Sequence, residues 1–368
     1  MSLINITTAI LVILAFLMEA TKEKKTVGIL SEYRDNYVYR NNFIVFFALV
    51  LIVVEGFRYD YMDTSIYKGV FSQDITKSLF YNFSNTKEYG FVFFEWLIKI
   101  INDNPQFFIF LISLFIVISS IVFIKKYAFD LPFSLILYFF FSFLSDMNGI
   151  RQICGATIIM LAFPLLVQKK YFKYILFILL ASTFHRSALV VIPLMILITK
   201  SRWNNLLIAF LVFCVFSSIV PGPINFIINT FVTEDYSHYT ETYSVTASFL
   251  HILIDGVPLV LSIIYHNLHK DDLESDRVTD LLINMMVVKF SFMFLALRMA
   301  QYARIGMYMR NSTALITPFL IAKVFDKKEN RMIQIIAIIL YFVVFLVENI
   351  MQNSKGYFNF LYLNFDIF

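Results

Sequence analysis

The chain has 368 residues, of which 59% are hydrophobic and only 15% charged, and its formal net charge is +4. A soluble domain carries about 25% charged residues, so these values exclude an ordinary water-soluble globular protein. The small charge is spread over many short segments and gives no basis for nucleic-acid binding. The apolar runs do not alternate, which excludes a transmembrane β-barrel.

Apolar stretches of roughly 17–25 residues cross a bilayer as helices. The expected class is therefore an all-α, polytopic integral membrane protein forming one transmembrane domain over 1–368. Twelve spans fit, at 4–20, 42–56, 106–124, 131–147, 150–167, 172–184, 187–199, 204–220, 246–266, 281–299, 305–323 and 333–350. The first run, MSLINITTAILVILAFLMEA, has no basic residue before it and no small-residue cleavage site. It reads as a retained helix, not a removed signal peptide. Cys154 and Cys214 fall in apolar segments and read as packing thiols, outside any disulfide or metal framework.

Lysine and arginine mark alternate connections between these spans: Lys22, Lys24, Lys25, Arg34 and Arg40; Lys125 and Lys126; Lys169, Lys170 and Lys173; Lys200 and Arg202; Lys270 and Arg277; Lys323, Lys327, Lys328 and Arg331. Basic loops stay in the cytoplasm, so both termini are expected outside. Two long external segments follow from this register, 57–105 and 221–245. The first carries an amphipathic, interfacial helix that stops before Pro105.

Small polar islands interrupt the apolar chain on the external side. Arg58, Asp60 and Asp63 follow the second span in EGFRYDYMDTSIY. The two aspartates, three apart, suit one helical face. They read either as a solvated loop, with Arg58 paired to Asp60, or as carboxylates that orient a sugar and take a proton from its hydroxyl. Glu88 opens the amphipathic segment, where the helix dipole alone favours an acid.

Asn148, Arg151 and Gln152 open the fifth span. Either Asn148 caps the helix while Arg151 reaches for headgroups, or the free N–H groups and the guanidinium make an anion site. His185, Arg186 and Ser187 form a tight tip between two spans. A cation beside His185 disfavours the imidazolium, so a neutral ring accepts a proton or hydrogen-bonds a phosphate oxygen. Arg298 and Arg304 flank the join of the tenth and eleventh spans, with Tyr308 one turn beyond and Arg310 deeper. Lys289 lies within the tenth span. Ionisable groups at such depth face a polar cavity, not lipid.

Five short motifs recur in a known pattern: Arg58-x-Asp60-Tyr61, Glu88-Tyr89-Gly90, Asn148-x-x-Arg151-Gln152, Phe184-His185-Arg186-Ser187 and Arg304-x-x-x-Tyr308. With the spacing of the spans, the chain resembles the EpsG family of bacterial polysaccharide polymerases, the Wzy-like enzymes of O-antigen, capsule and exopolysaccharide assembly. It departs from the family pattern at Tyr59-Asp60, where Gly-x-Asp is common, and at Arg186, where Lys is common.

The resemblance implies an overall plan like that of C-type glycosyltransferases. It implies transfer of a growing glycan from undecaprenyl diphosphate to the non-reducing end of an incoming lipid-linked unit, on the external face of the cytoplasmic membrane. Arg151, Arg298 and Arg304 would stabilise the departing diphosphate, with Gln152 and Tyr308 as hydrogen-bond partners. Asp60 or His185 would be the base. Arg58, Asp63, Glu88, Asn148 and Arg186 would bind substrate. No cofactor and no metal are expected, and the partners expected are the lipid-linked oligosaccharide, the bilayer, a chain-length regulator and a flippase.

Three other readings compete, one of them a membrane acyltransferase of surface sugars with His185 as base, for which the cytoplasmic side lacks a candidate site. A flippase of lipid-linked oligosaccharide would usually show two similar halves and polar groups at mid-depth, whereas here the polar groups cluster at one face. A glycan ligase differs from a polymerase only in its acceptor.

Overall fold

The computed structural model describes residues 2–24, 37–76, 78–84, 86–220, 222, 249–270, 276–354 and 361–366. The external segment expected at 221–245 lies outside them apart from residue 222. The described chain is helical, with one antiparallel pairing of two-residue strands, β1 (Glu23–Lys24) and β2 (Tyr37–Val38).

In chain order the helices are α1 (Ser2–Ala20), α2 (Asn41–Gly56), α3 (Thr64–Gln73), α4 (Leu79–Ser84), α5 (Tyr89–Ile101) and α6 (Pro105–Tyr127). Next come α7 (Leu131–Asp146), α8 (Ile150–Val167) and α9 (Tyr171–Phe184). Then follow α10 (Val191–Ile198), α11 (Asn205–Ile219), α12 (Phe249–Leu268), α13 (Arg277–Ala296), α14 (Gln301–Gly306), α15 (Ser312–Val324) and α16 (Lys327–Ser354). The chain forms two compact units. One holds residues 1–189 and 327–368, the other 190–326.

Among the described residues, five helices are long and apolar enough to cross a membrane: Leu3–Ala20, Pro105–Tyr127, Ile150–Val167, Arg277–Ala296 and Lys328–Met351. Seven shorter apolar helices accompany them. Each of the twelve ranges expected from the sequence overlaps one of these helices. They differ in how they bury their surface. α13 is enclosed almost all round within its own unit, whereas α16 leaves Ile335, Ile339, Leu340 and Val343 exposed. An apolar face left open in this way suits lipid.

The local chemistry of the helix ends explains where several begin. Asn104 caps α6 by accepting from the Gln106 N–H at 2.8 Å, with Pro105 in the first position. Lys125 and Lys126 close its last turn, complementing the dipole. Asp130 caps α7 by accepting from Phe133 N–H at 3.0 Å. A π-helical turn over Phe139–Phe143 interrupts α7.

The start of α8 corrects an expectation. Gly149, not Asn148, holds the N-cap position, with φ +65. A left-handed residue is needed there, and glycine adopts it without steric cost. The side-chain oxygen of Asn148 is buried without a hydrogen-bond partner.

Arg58 knits the first unit. Its side chain is 1% exposed. Nε donates to Thr64 Oγ1 at 2.9 Å, and Nη1 donates to Ser113 Oγ at 3.2 Å and to the Glu55 carbonyl. It thereby joins α2, α3 and α6. Its backbone pairs with Leu363 of the C-terminal segment. Burial lowers its pKa to about 10, against the opposing pull of Glu55, so it stays charged at neutral pH. These bonds assign the Arg58 side chain to packing. Removing one member of a buried charged network costs about 3 kcal/mol or more. Arg58→Ala is therefore expected to lower the melting temperature in detergent by several degrees, with Arg58→Lys intermediate, as read by thermal unfolding of the purified protein.

Candidate functional site

Three helix ends in the first unit meet at one carboxylate. Glu88 is the N-cap of α5, Arg151 is the second residue of α8, and His185 is the C-cap of α9. Glu88 Oε2 accepts from Arg151 Nη1 at 3.0 Å, and Glu88 Oε1 lies 2.6 Å from His185 Nδ1. All three side chains are partly covered, Glu88 the most, with 15% of its side chain exposed.

Burial pushes the Glu88 pKa up, but the hydrogen bonds from His185 and Arg151 outweigh it and hold the carboxyl below its usual range. An ionised carboxylate only accepts. The proton between it and the imidazole therefore sits on His185 Nδ1, and the lone pair of a neutral ring is on Nε2. The same logic orients catalytic histidines elsewhere.

Aromatic rings frame the guanidinium. Arg151 Cζ lies 5.6 Å from the ring centres of both Tyr67 and Phe91, within cation–π range. Its Nε is buried with no hydrogen-bond partner. Arg151 thus has one ionic partner and a buried, unused Nε–H.

Gly90 makes the meeting of these ends possible. A Cβ there would stand 2.9 Å from Thr183 Cβ and 3.1 Å from Phe184 Cδ2, and closer still to Thr183 Oγ1. Real Cβ atoms essentially never approach so closely. Only glycine lets the first turn of α5 lie against the last turn of α9, which brings Glu88 to His185.

A second carboxyl shares this helix. Glu95 is two turns below Glu88 on α5 and 1% exposed, and its Oε1 has no hydrogen-bond partner. Burial raises its pKa to about 8, with the charge of Arg151 opposing. At neutral pH it is mostly protonated. The sequence reading missed it, although the signal was present: an acid at the i+7 position from Glu88, inside the run FVFFEWLIKII. Tyr67 was missed as well, because nothing local ties it to Arg151.

The other expected residues lie elsewhere. Asp60 Oδ1 accepts from the Ser65 N–H at 2.9 Å, and so fastens the first turn of α3. Asp63 is the N-cap of α3, so the two aspartates do not share a helical face as their spacing suggested. The charge of Asp60 acts on Arg58, but the hydrogen bonds of the Arg58 side chain go to α2, α3 and α6. Gln152 is buried in the first turn of α8. Arg186 is exposed at the start of the 3-10 turn Arg186–Val190.

In the second unit, Arg298 donates to the Ser218 and Ile219 carbonyls. It serves as a cationic cap on the C-terminus of α11. Arg304 is exposed on α14, whereas Tyr308 and Arg310 are buried. Lys289 lies 3.7 Å from Asp255 and 3.4 Å from Thr313 Oγ1, so its charge meets a carboxylate inside the apolar layer. Among the described residues, no three His, Cys, Asp or Glu side chains converge as metal ligands would.

The EpsG family model matches residues 41–365, most of the chain. The chain belongs to the EpsG family. No curated protein and no solved structure matches it. The matched range takes in every residue of the Glu88, Arg151 and His185 junction. Its apolar helices make this EpsG-family chain a multi-pass membrane protein, and the family ties it to polysaccharide-related functions.

Two predictions follow from this junction. Gly90→Ala is expected to separate α5 from α9 and reduce activity as far as removing Glu88 does, while leaving membrane insertion intact. Side-by-side assays of Gly90→Ala and Glu88→Ala, with expression monitored, check this. The second concerns pH. Glu95 is a carboxyl whose folded pKa is raised, so the folded state holds its proton longer than the unfolded chain. Stability should fall as pH rises from about 4.5 towards about 8. Glu95→Gln is expected to flatten that slope in melting curves recorded across this range.

Proposed function

We propose that this EpsG-family chain polymerises undecaprenyl-diphosphate-linked oligosaccharide repeat units. The single observation that carries the reading is the Glu88 carboxylate held between His185 and Arg151. It pairs a poised base with a cation at one site, which glycosyl transfer from a diphosphate requires.

In the proposed reaction, a hydroxyl at the non-reducing end of the incoming unit attacks the anomeric carbon of the growing glycan. His185 Nε2 takes the hydroxyl proton, while Glu88 holds Nδ1–H and balances the imidazolium that forms. The bond from the anomeric carbon to the diphosphate oxygen breaks, and its electron pair leaves with undecaprenyl diphosphate. Arg151 stabilises the charge that builds on that oxygen. Its buried, unused Nε–H favours an anion at the same place. Asp60, already bonded to the Ser65 amide, is the weaker candidate for the base.

The membrane arrangement is part of the proposal. The twelve apolar helices each cross the bilayer, on a plan like that of C-type glycosyltransferases. The site opens on the external face of the cytoplasmic membrane, and both termini lie outside. The alternating basic connections support this orientation. A chain-length regulator and a flippase remain proposed partners.

The test is reconstitution into liposomes with a synthetic undecaprenyl-diphosphate repeat unit. A ladder of longer lipid-linked glycans is expected. His185→Ala and Arg151→Ala should each slow it by about 100-fold or more. A unit that crosses the bilayer with no ladder would replace the polymerase with a flippase, and transfer only to a different acceptor would make it a ligase. Near-normal ladders from both variants would return Arg151 to a headgroup contact and His185 to a structural role.

A further inference from the structure

The reaction proposed for the Glu88 junction leaves a second carboxyl of α5 unused. Glu95 sits in the buried stripe of that helix with Phe91, Val92 and Ile98, and its Oε1 is buried with no hydrogen-bond partner. A polar group in that position is costly where an apolar side chain would pack. Its presence calls for a specific cause.

Its place on the helix supplies one. Phe91 and Glu95 are four residues apart and share a face of α5. The Arg151 guanidinium rests on that face, 5.6 Å from the Phe91 ring centre. Nη1 donates to Glu88 Oε2 at 3.0 Å. Glu95 follows Glu88 about 10 Å further along the helix. One guanidinium is thus flanked by two carboxyls of α5, and the charges of Arg151 and Glu95 act on one another.

Other charges do not take the place of Arg151. Lys99, four residues beyond Glu95, donates to the Phe71 and Ser72 carbonyls of α3. Lys68 of α3 donates to Gln106 and to the Arg58 and Tyr59 carbonyls. α3 otherwise brings Tyr67 against Arg151 and, at its C-cap, Asp74. From α9, His185 is bonded to Glu88, and Lys173 lies in the opposite end turn. α4 has no charged side chain, and the lysines of α6 are in its last turn.

Burial raises the Glu95 pKa to about 8; Arg151 opposes this, and Glu88 and Asp74 add to it. A neutral Glu95 leaves Glu88 as the carboxylate that balances Arg151. An ionised Glu95 would set a second negative charge beside the same cation, and an arriving anion would meet both.

We propose that Glu95 is a positioning residue that acts through Arg151: uncharged on the buried face of α5, it leaves the guanidinium to the diphosphate, and ionised it draws that charge away. The inference rests on the reading that Arg151 faces a diphosphate. The sign of the linkage is fixed. Glu95 holds its proton below about pH 8 and loses it above. An anion on Arg151 favours the protonated form. Affinity therefore falls as pH rises through about 8, and binding in that range takes up a proton.

The test uses the purified full-length protein in phosphatidylcholine nanodiscs, with farnesyl diphosphate as the probe. Isothermal titration at pH 7, 8 and 9, in buffers of different ionisation heat, reads affinity and proton uptake together. Wild-type affinity should fall at least fivefold from pH 7 to pH 9, with proton uptake at pH 8. In Glu95→Gln the fall should stay below twofold and the uptake should vanish. Glu95→Leu, which suits the apolar face, serves as the second variant with the same expectation. Lys68, whose pKa is also lowered to about 8, is common to all three proteins, so the difference between them reports Glu95. A carboxyl that only packs would change the melting temperature and neither of these readings. The same pH dependence in the wild type and the variants overturns the inference, as does a wild type that binds no diphosphate. Liposome ladders on the same preparations separate the two claims. Glu95-dependent binding without a ladder keeps the inference and defeats the polymerase. Ladders from a wild type whose diphosphate binding ignores Glu95 do the reverse.

Discussion

A carboxylate shared by a histidine and an arginine is the constraint on which the first unit's site depends. Glu88 is partly withdrawn from water, which opposes its charge, and two hydrogen bonds from different helices reverse that penalty. Neither bond survives unless α5, α8 and α9 end at one place. The ends are therefore tied by chemistry as well as by packing. Gly90 permits the approach by lacking a side chain, and Gly149 turns the chain into α8 with a left-handed residue. Two glycines thus serve the site without contributing any functional atom.

The apolar surroundings raise the stakes of every polar group. A buried charge without partners is costly in any protein interior, and few waters compete for it in a membrane. Arg58 meets this by distributing its donors over three helices, and Lys289 by facing Asp255 and Thr313. Glu95 meets it differently, by keeping its proton. Arg151 keeps its Nε buried and unused beside aromatic rings, as Arg202 does beside Tyr265. A buried donor in that state calls for a specific cause, such as a catalytic role or a bound water or ion.

The motifs that pointed to the family divide into two kinds. Glu88-Tyr89-Gly90, Asn148-x-x-Arg151-Gln152 and Phe184-His185 converge, and each gives the junction a side chain or a close approach. Arg58-x-Asp60-Tyr61 builds the fold around α3, with its arginine buried and its aspartate bonded to a helix amide. Recurrence in a pattern does not separate these roles, because a residue that fixes a helix is as constrained as one that meets substrate. Arg298 makes the same point, since a guanidinium on terminal carbonyls stabilises a helix wherever that helix ends.

The sequence by itself determined the class, the helices and the candidate list. Hydrophobicity is a local property, so apolar runs, basic connections and a stop before Pro105 can be read residue by residue. The helical segments fell where those signals put them, and Glu88, Arg151 and His185 stood out as polar islands. Only the tertiary structure decided that these three share one carboxylate, since they lie 63 and 97 residues apart from Glu88. It also exchanged Asn148 for Gly149 at the start of α8, because a backbone angle is not visible in composition. The roles of Glu95 and Tyr67 were likewise decided by long-range packing. A side chain's pKa and partners belong to its neighbours in space, and those neighbours come from parts of the chain that no local pattern connects.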